Sequence, residues 1–212
     1  MRGKRGTAKH IKGSFRTTPC IIAFDQSYSR TGIAVCVNGV VKKAYSIDFK
    51  KMDLKGQSPK RLYLQQYEEK IIQMCLTRFR PEEITVIVER VRTFTQSDKL
   101  TIQVVKSHSA LVGSIADQAC KHGIKTYSVD TRAWKSKVLG SSRPIFEPLP
   151  GVKNPQKFGS VRKAIELGFE DKLKIKSYRA VNTFSYNDDM ADAICMSLYP
   201  FQEPPFSMLL EC

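Results

Sequence analysis

The chain has 212 residues, 42% of them hydrophobic, which suits one globular domain with a full core and excludes a disordered chain. Lys and Arg number 35 against 20 Asp and Glu, and a formal net charge of +15 favours a polyanionic partner, most often nucleic acid, with an anionic membrane surface as the alternative. No segment reaches the roughly 20 apolar residues of a membrane span or resembles a signal peptide. Six scattered cysteines without a C-x-x-C pair disfavour a zinc or disulfide framework. Three of them, Cys36, Cys75 and Cys195, lie in apolar periodic segments and are typical of core residues in a reducing compartment. We therefore expect a cytoplasmic protein that binds nucleic acid and no membrane.

Residues 1–18 form a basic arm that carries no acid. Such an arm predicts contacts with nucleic-acid phosphates, and the alternative is a solubilising tail. Its candidate DNA-binding residues are Arg2, Lys4, Arg5, Lys9, Lys12 and Arg16.

A continuous apolar run, residues 20–24, predicts a strand buried on both faces of a sheet, and Asp25 follows it directly. Asp25 is interpreted either as a metal-binding carboxylate at the lip of the sheet or as a cap of the turn that follows. A second strand is predicted over residues 33–37. Asn38-Gly39 then predicts a hairpin to a third strand over residues 40–49.

The remaining elements alternate between strands and helices. Apolar periodicity, Pro and Gly stops and helix caps predict strands over 84–89 and 125–129 and helices over 60–80, 99–122, 131–139, 158–167 and 188–199. A loop or lid is predicted over 141–154. A meander followed by these units favours a mixed sheet with helices on both faces, so we expect one domain over 19–200 and a tail over 201–212.

The acids form a pattern within this order. Asp25 and Glu89 each end a buried strand, and the last helix opens with acids at 188, 189 and 192. The helix dipole explains acids in a first turn, but it explains neither the two strand-end acids nor Asp192, which lies within an apolar stripe. Four carboxylates from three elements would repel one another without a cation, and Mg²⁺ prefers oxygen ligands. Two such metals could activate water and stabilise the leaving oxygen of a phosphodiester.

Three motifs in order resemble those of the Holliday-junction resolvases of the RuvC type, within the ribonuclease-H-like superfamily. They are IIAFDQSYSRTGIAV, ITVIVERV and DDMADAI, and together they span residues 20 to 199. The resemblance implies an α/β fold with a five-stranded mixed sheet, order 3-2-1-4-5, and helices on both faces. One departure is Gln26-Ser27, where the family usually has Pro-Gly or a similar pair.

The resemblance also implies the site. Its metal ligands would be Asp25, Glu89, Asp189 and Asp192, holding two Mg²⁺ ions with Mn²⁺ as a substitute, and Asp188 would lie behind them. An active-site lysine is matched best by Lys135, in YSVDTRAWKSKVLG, and a second one by Lys157. Phe94, in the loop after Glu89, matches an aromatic that can wedge between bases, and the alternative is that it packs on the domain.

The function implied is a metal-dependent, structure-selective endonuclease that resolves four-way junctions by paired symmetric nicks. Paired nicks favour a homodimer, which we expect to form through the helix 99–122 with Leu111 and Ile115 at the interface; the alternative is that this stripe covers its own sheet. Long decorations favour a phage-encoded version, which would act in the cytoplasm of a bacterial host. The competing functions are a ribonuclease-H-like nuclease without junction selectivity, a non-catalytic DNA-architectural protein and an actin-like nucleotide-binding domain. The last lacks the glycine-rich phosphate loops it needs.

Overall fold

The computed structural model describes residues 18–52, 54–90, 102–141, 147–176, 184–202 and 207–210. Residues 1–17 of the basic arm and Phe94 lie outside these residues, as does part of the predicted lid. The strands are β1 Cys20–Asp25, β2 Arg30–Val37, β3 Val40–Asp48, β4 Ile84–Glu89, β5 Lys125–Val129, β6 Lys174–Lys176, β7 Phe184–Tyr186 and β8 Ser207–Leu210. The helices are α1 Gln57–Leu76, α2 Ile102–Cys120, α3 Thr131–Val138, α4 Phe158–Glu166, α5 Glu170–Leu173 and α6 Asp188–Leu198. Three short 3-10 turns cover Pro81–Glu83, Pro155–Lys157 and Tyr199–Gln202.

The main sheet has the order β3-β2-β1-β4-β5-β8. Strand β1 is antiparallel to β2 and parallel to β4, and β4 is parallel to β5. The predicted five-stranded mixed sheet of order 3-2-1-4-5 is thereby confirmed. Strand β8, which pairs antiparallel with β5, adds a sixth strand within the predicted tail, residues 201–212. A small separate hairpin, β6–β7, was also not predicted.

Helices cover both faces of the sheet. Alternate β1 residues Cys20, Ile22 and Phe24 pack in one core with α1 and α2. Ile21 and Ala23 point the other way, into a core that contains α3 and α6. Because side chains alternate along a strand, Asp25 follows Ile21 and Ala23 onto the α6 face.

The apolar stripe of α2 covers the protein's own sheet. Leu111 and Ile115 are fully buried in the core that also contains β1 and α1. The suggestion that these two residues lie at a dimer interface is therefore wrong, because a partner cannot reach them. Periodicity predicted an apolar stripe correctly but could not tell which surface the stripe covers.

Several boundaries differ from the predicted ones for local reasons. Helix α1 begins at Gln57, three residues early, because Gly56 adopts a left-handed conformation (φ 82°) that starts the helix before Pro59. Strand β2 begins at Arg30, so Gly32 lies inside the strand rather than in the turn. Cys36, Cys75 and Cys195 are buried free thiols, as expected, and Cys20 is another. In the part of the chain that the structure describes, no helix is both long and apolar enough to cross a membrane.

Candidate active site at the ends of β1 and β4

Asp25 lies at the end of the central strand and is 7% exposed. The parallel ladder between β1 and β4 pairs Phe24 with Val88, so Asp25 and Glu89 are the next residues on two adjacent strands. The carboxyl ends of parallel neighbours meet at one edge of the sheet, which is why two acids far apart in sequence lie together. Burial raises the pKa of Asp25 well above its usual range, the Lys157 ammonium opposes that rise, and the carboxylates of Glu89, Asp192 and Asp189 add to it.

Glu89 is fixed by contacts from two different elements. The side-chain amide of Gln26 donates to the Glu89 carbonyl (2.7 Å) and accepts from the Glu89 backbone N–H (3.2 Å). The hydroxyl of Thr131, the first residue of α3, donates to Glu89 Oε1 at 2.6 Å. The end of β4 is therefore held by the turn after β1 and by the start of α3.

Helix α6 brings the other acids to the site. Its N-cap is Asn187, whose side chain accepts from the Met190 backbone N–H at 3.1 Å. Its first turn lies against Gly32, which is directly opposite Asp25 in the β1–β2 register. A Cβ atom on Gly32 would overlap the Asp189 carbonyl and lie 2.6 Å from the Met190 nitrogen, so only glycine permits this approach.

Two acids of α6 face inward where the first turn of this helix contacts Gly32. Asp192 is 2% exposed, one turn in from the helix start. Asp189 is half-buried, and burial raises its pKa to about 6, with Lys157 and Arg30 opposing and Asp188 and Asp192 adding to the rise. Asp188, in the same first turn, is also half-buried.

Lys157 is the cation at the centre of the carboxylates. It ends the 3-10 turn before α4, forms an ion pair and hydrogen bond with Asp192 Oδ2, and lies 3.6 Å from Asp25 Oδ2. Burial lowers the pKa of Lys157, but the surrounding carboxylates outweigh burial and leave that pKa well above the usual range. Lys157 is therefore charged at neutral pH and compensates part of the buried negative charge.

Lys135, the best match to an active-site lysine in the resemblance, lies beside the turn that carries Lys157. Its Nζ donates to the Gln156 carbonyl at 3.3 Å and lies 5.3 Å from the centroid of the Trp134 ring. Lys135 thus binds the backbone next to Lys157. Of the two lysines considered, Lys157 is the one whose side chain contacts the acids.

Other candidates occupy supporting positions. Asp130 is the N-cap of α3, accepting from the backbone N–H groups of Arg132 and Ala133. His108 of α2 is half-buried, and burial lowers its pKa against the opposing effect of Glu89. The sequence patterns singled out neither Thr131 as a partner of Glu89 nor Gly32 as the contact of α6.

The donor set suits a hard divalent cation. The four acids offer only oxygen ligands, which Mg²⁺ and Mn²⁺ accept. In the part of the chain that the structure describes, Asp25 Oδ2 and Asp192 Oδ1 are buried without a hydrogen-bond partner, although Asp25 Oδ2 has the Lys157 ammonium nearby. Within the described residues, no three His, Cys, Asp or Glu side chains are already arranged around one point as metal ligands. The residues thus fit a metal by their chemistry, while Lys157 lies between two of the acids.

No family model and no curated protein matches the chain. Solved structures do match. A Thermus thermophilus RuvC structure is similar over 85% of this chain and 92% of its own, with 15% identity and a TM-score of 0.49. A T. thermophilus RuvC in complex with Holliday junction substrate is similar over 85% and 90%, with 13% identity and a TM-score of 0.49. Likeness at this level says nothing of activity, so the function has to be inferred from the site.

Proposed function

We propose that this protein is a metal-dependent endonuclease that cuts branched DNA, with the four-way junction as its preferred substrate. The observation that carries the proposal is that buried Asp25 of β1 and Asp192 of α6 share one lysine, with Glu89 at the adjacent end of β4, in a protein of net charge +15. A structural role gives such acids no reason to be buried together, since each raises the cost of ionising the others. A metal-assisted reaction on a polyanion accounts for both the acids and the surplus of bases.

Asp25, Glu89, Asp189 and Asp192 are the residues that would hold Mg²⁺ or Mn²⁺. When bound, two such ions activate water and stabilise the leaving oxygen of a phosphodiester. Thr131 orients Glu89 for this role. The close contact of α6 with Gly32 positions Asp189 and Asp192. Asp188, beside them in the first turn of α6, is the candidate for a supporting acid.

Lys157 has two roles in this proposal. In the free protein its ammonium offsets the repulsion between Asp25 and Asp192, which lets the site exist before a cation arrives. Because its pKa is raised, it keeps its charge and can donate to a phosphate oxygen of the substrate. Lys135 supports it by holding the Gln156 carbonyl.

The choice of branched DNA comes from the sequence motifs. A four-way junction has approximate two-fold symmetry, and its resolution takes two matched nicks. Since one chain carries one set of carboxylates, a two-fold homodimer would supply both nicks. Light scattering of the protein, free and on a junction, tests the dimer, and a monomer in both states that still cuts opposite strands in concert would exclude it.

The decisive assay incubates the full chain with a four-way junction, a linear duplex and single-stranded RNA, each with and without Mg²⁺. We expect paired nicks in the junction only, and only with metal. Asp192→Asn should bind the junction without cutting it, because amides are poor metal ligands. Asp171→Asn is the matched control, since Asp171 is an exposed acid outside the site.

Each alternative predicts a different result in this assay. Equal cutting of junction and duplex would identify a ribonuclease-H-like nuclease without junction selectivity. Binding without cutting under any metal would identify a DNA-architectural protein. Unchanged cutting by Asp192→Asn would show that the assigned site is wrong.

A further inference from the structure

We propose that Gln26 is a positioning residue that fixes Glu89 for metal binding; this rests on the proposed function of the site. Gln26 follows the central aspartate and is 4% exposed. Its amide makes two hydrogen bonds to one residue, donating from Nε2 to the Glu89 carbonyl (2.7 Å) and accepting at Oε1 from the Glu89 N–H (3.2 Å).

Gln26 binds the Glu89 backbone because the pairing between β1 and β4 ends just before Glu89. The β1–β4 ladder stops at the pair Phe24–Val88, and the chain after Asp25 turns away toward β2. Glu89 would then present a backbone N–H and a carbonyl to a missing strand, in a place where unpaired polar groups are costly. A primary amide carries an NH₂ donor group and a carbonyl acceptor at the spacing of a peptide group, so Gln26 replaces the missing strand residue.

Glu89 is consequently held on three sides. Gln26 binds its backbone on the β1 side. On the β5 side, the neighbouring Arg90 N–H donates to the Val129 carbonyl at 2.8 Å. Thr131 binds the carboxylate itself at 2.6 Å. Because Gln26 directly follows Asp25, its two hydrogen bonds to the Glu89 backbone couple the position of Glu89 to that of Asp25 on the adjacent strand.

Such a residue acts on the metal through a ligand and does not touch the substrate. Removing partners that orient a metal ligand costs about 10- to 100-fold in metal affinity or activity. Gln26 should therefore affect cation affinity and turnover, while leaving affinity for DNA unchanged. A residue that only stabilised the fold would affect stability and leave both of the other quantities alone.

The test compares Gln26→Met, which keeps the length of the side chain but has no amide, with wild type. Gln118→Met is the matched control, because Gln118 is also buried and also donates to an acid, Glu69, between α1 and α2 and away from the site. Mn²⁺ affinity is measured by calorimetry without DNA, junction affinity by gel shift in EDTA, and single-turnover cleavage in Mg²⁺. Gln26→Asn, polar but one methylene shorter, is measured in parallel in case the Met variant does not fold.

We expect Gln26→Met and Gln26→Asn to bind Mn²⁺ about 10- to 100-fold more weakly, with a comparable loss of cleavage and unchanged junction affinity. Gln118→Met should match wild type in all three. Wild-type Mn²⁺ affinity and cleavage in the folded Gln26 variants, or an equal loss in Gln118→Met, would overturn the inference. If the wild type binds Mn²⁺ but cuts no DNA, the proposed function fails while the calorimetric comparison still decides the role of Gln26. If the wild type binds no Mn²⁺, both fail.

Discussion

Carboxyl groups are buried on both faces of the sheet, and the two places differ in whether a cation compensates the buried charge. On the α6 face, Asp25 and Asp192 share the ammonium of Lys157. On the opposite face, Glu68 of α1 is 0% exposed, and neither of its side-chain oxygens has a hydrogen-bond partner among the described residues. Burial, and then Glu69, raise the pKa of Glu68 well above its usual range, with Lys121 opposing. Burial therefore favours the neutral form of Glu68, whereas at the site the nearby Lys157 ammonium favours the charged form of Asp25 and opposes the effect of burial.

A buried acid is therefore not in itself a sign of function. A single acid such as Glu68 can avoid the cost of burial by keeping its proton. The site is different because several acids converge from separate elements and because the fold supplies a cation among them. This combination of convergence and compensation is what points to chemistry on a charged ligand.

The largest effect on stability should come from removing the cation. Lys157→Met leaves Asp25 and Asp192 buried without a counter-charge, and loss of one partner from a buried pair costs about 3–5 kcal/mol. Urea unfolding at pH 7.5 without metal measures this loss of unfolding free energy, and Lys153→Met, at an exposed lysine, is the control. A loss no larger than that of the control would mean that the acids are already neutral, as at Glu68, and the contrast between the two regions would disappear.

A smaller loss is expected where α6 meets the sheet. Gly32→Ala places a methyl group against the backbone of Asp189 and Met190, and overpacking of this kind costs about 1–3 kcal/mol. The displaced helix should also abolish cleavage. Gly113→Ala is the control, because a Cβ there meets nothing within 4 Å and the helix should gain about 0.5–1 kcal/mol. A fully active Gly32→Ala protein would show that the positions of the acids do not depend on the contact between α6 and Gly32.

The Glu68 region should respond to pH. Since the folded-state pKa of Glu68 is raised, its stabilising proton is fully present below the unfolded pKa and is lost as pH rises through the folded value. Glu68→Gln removes this loss, so its advantage over wild type should be small at pH 4 and larger at pH 8. Each unit by which the pKa is raised corresponds to about 1.4 kcal/mol. Urea unfolding of both proteins across this pH range checks the prediction. A difference in unfolding free energy that does not change with pH would mean that Glu68 does not titrate as described.

The smallest change in stability should come from an active-site acid itself. Asp25→Asn removes one of several like charges, so the free energy of unfolding without metal should stay within about 1 kcal/mol of wild type or rise. Cleavage should be lost while junction binding remains. Unfolding curves and the junction assay, run on one preparation, separate the two effects. A severe loss of stability would show that the Asp25 charge is structural rather than reserved for a cation.

The sequence predicted the sheet and its two strand-end acids because both follow from local patterns. Apolar runs ending in Asp25 and Glu89 identify strands, and adjacent parallel strands bring their ends together. The spacing within 188–192 likewise predicted acids on one helix face. These features need only the period of an element and the direction of its neighbour.

The rest depended on tertiary register. Which lysine reaches the acids is decided by the path of the backbone before α4, so Lys135 and Lys157 could not be ranked from the chain alone. The amide of Gln26 finds Glu89 only because the ladder ends at Phe24. The need for glycine at position 32 arises only when α6 lies on β2, and no local pattern shows it.

The seat of α6 also has a thermodynamic consequence. This helix is buried along nearly its whole length and packs on β1, β2 and β3. Its acids therefore cannot separate from Asp25 by a local opening, and hydrogen exchange in α6 should require global unfolding. A cation bound across β1 and α6 would accordingly stabilise the whole domain, by about 1.4 kcal/mol for each tenfold excess over its dissociation constant. The melting temperature of the entire protein would then report which metal ion the site prefers, before any substrate is known.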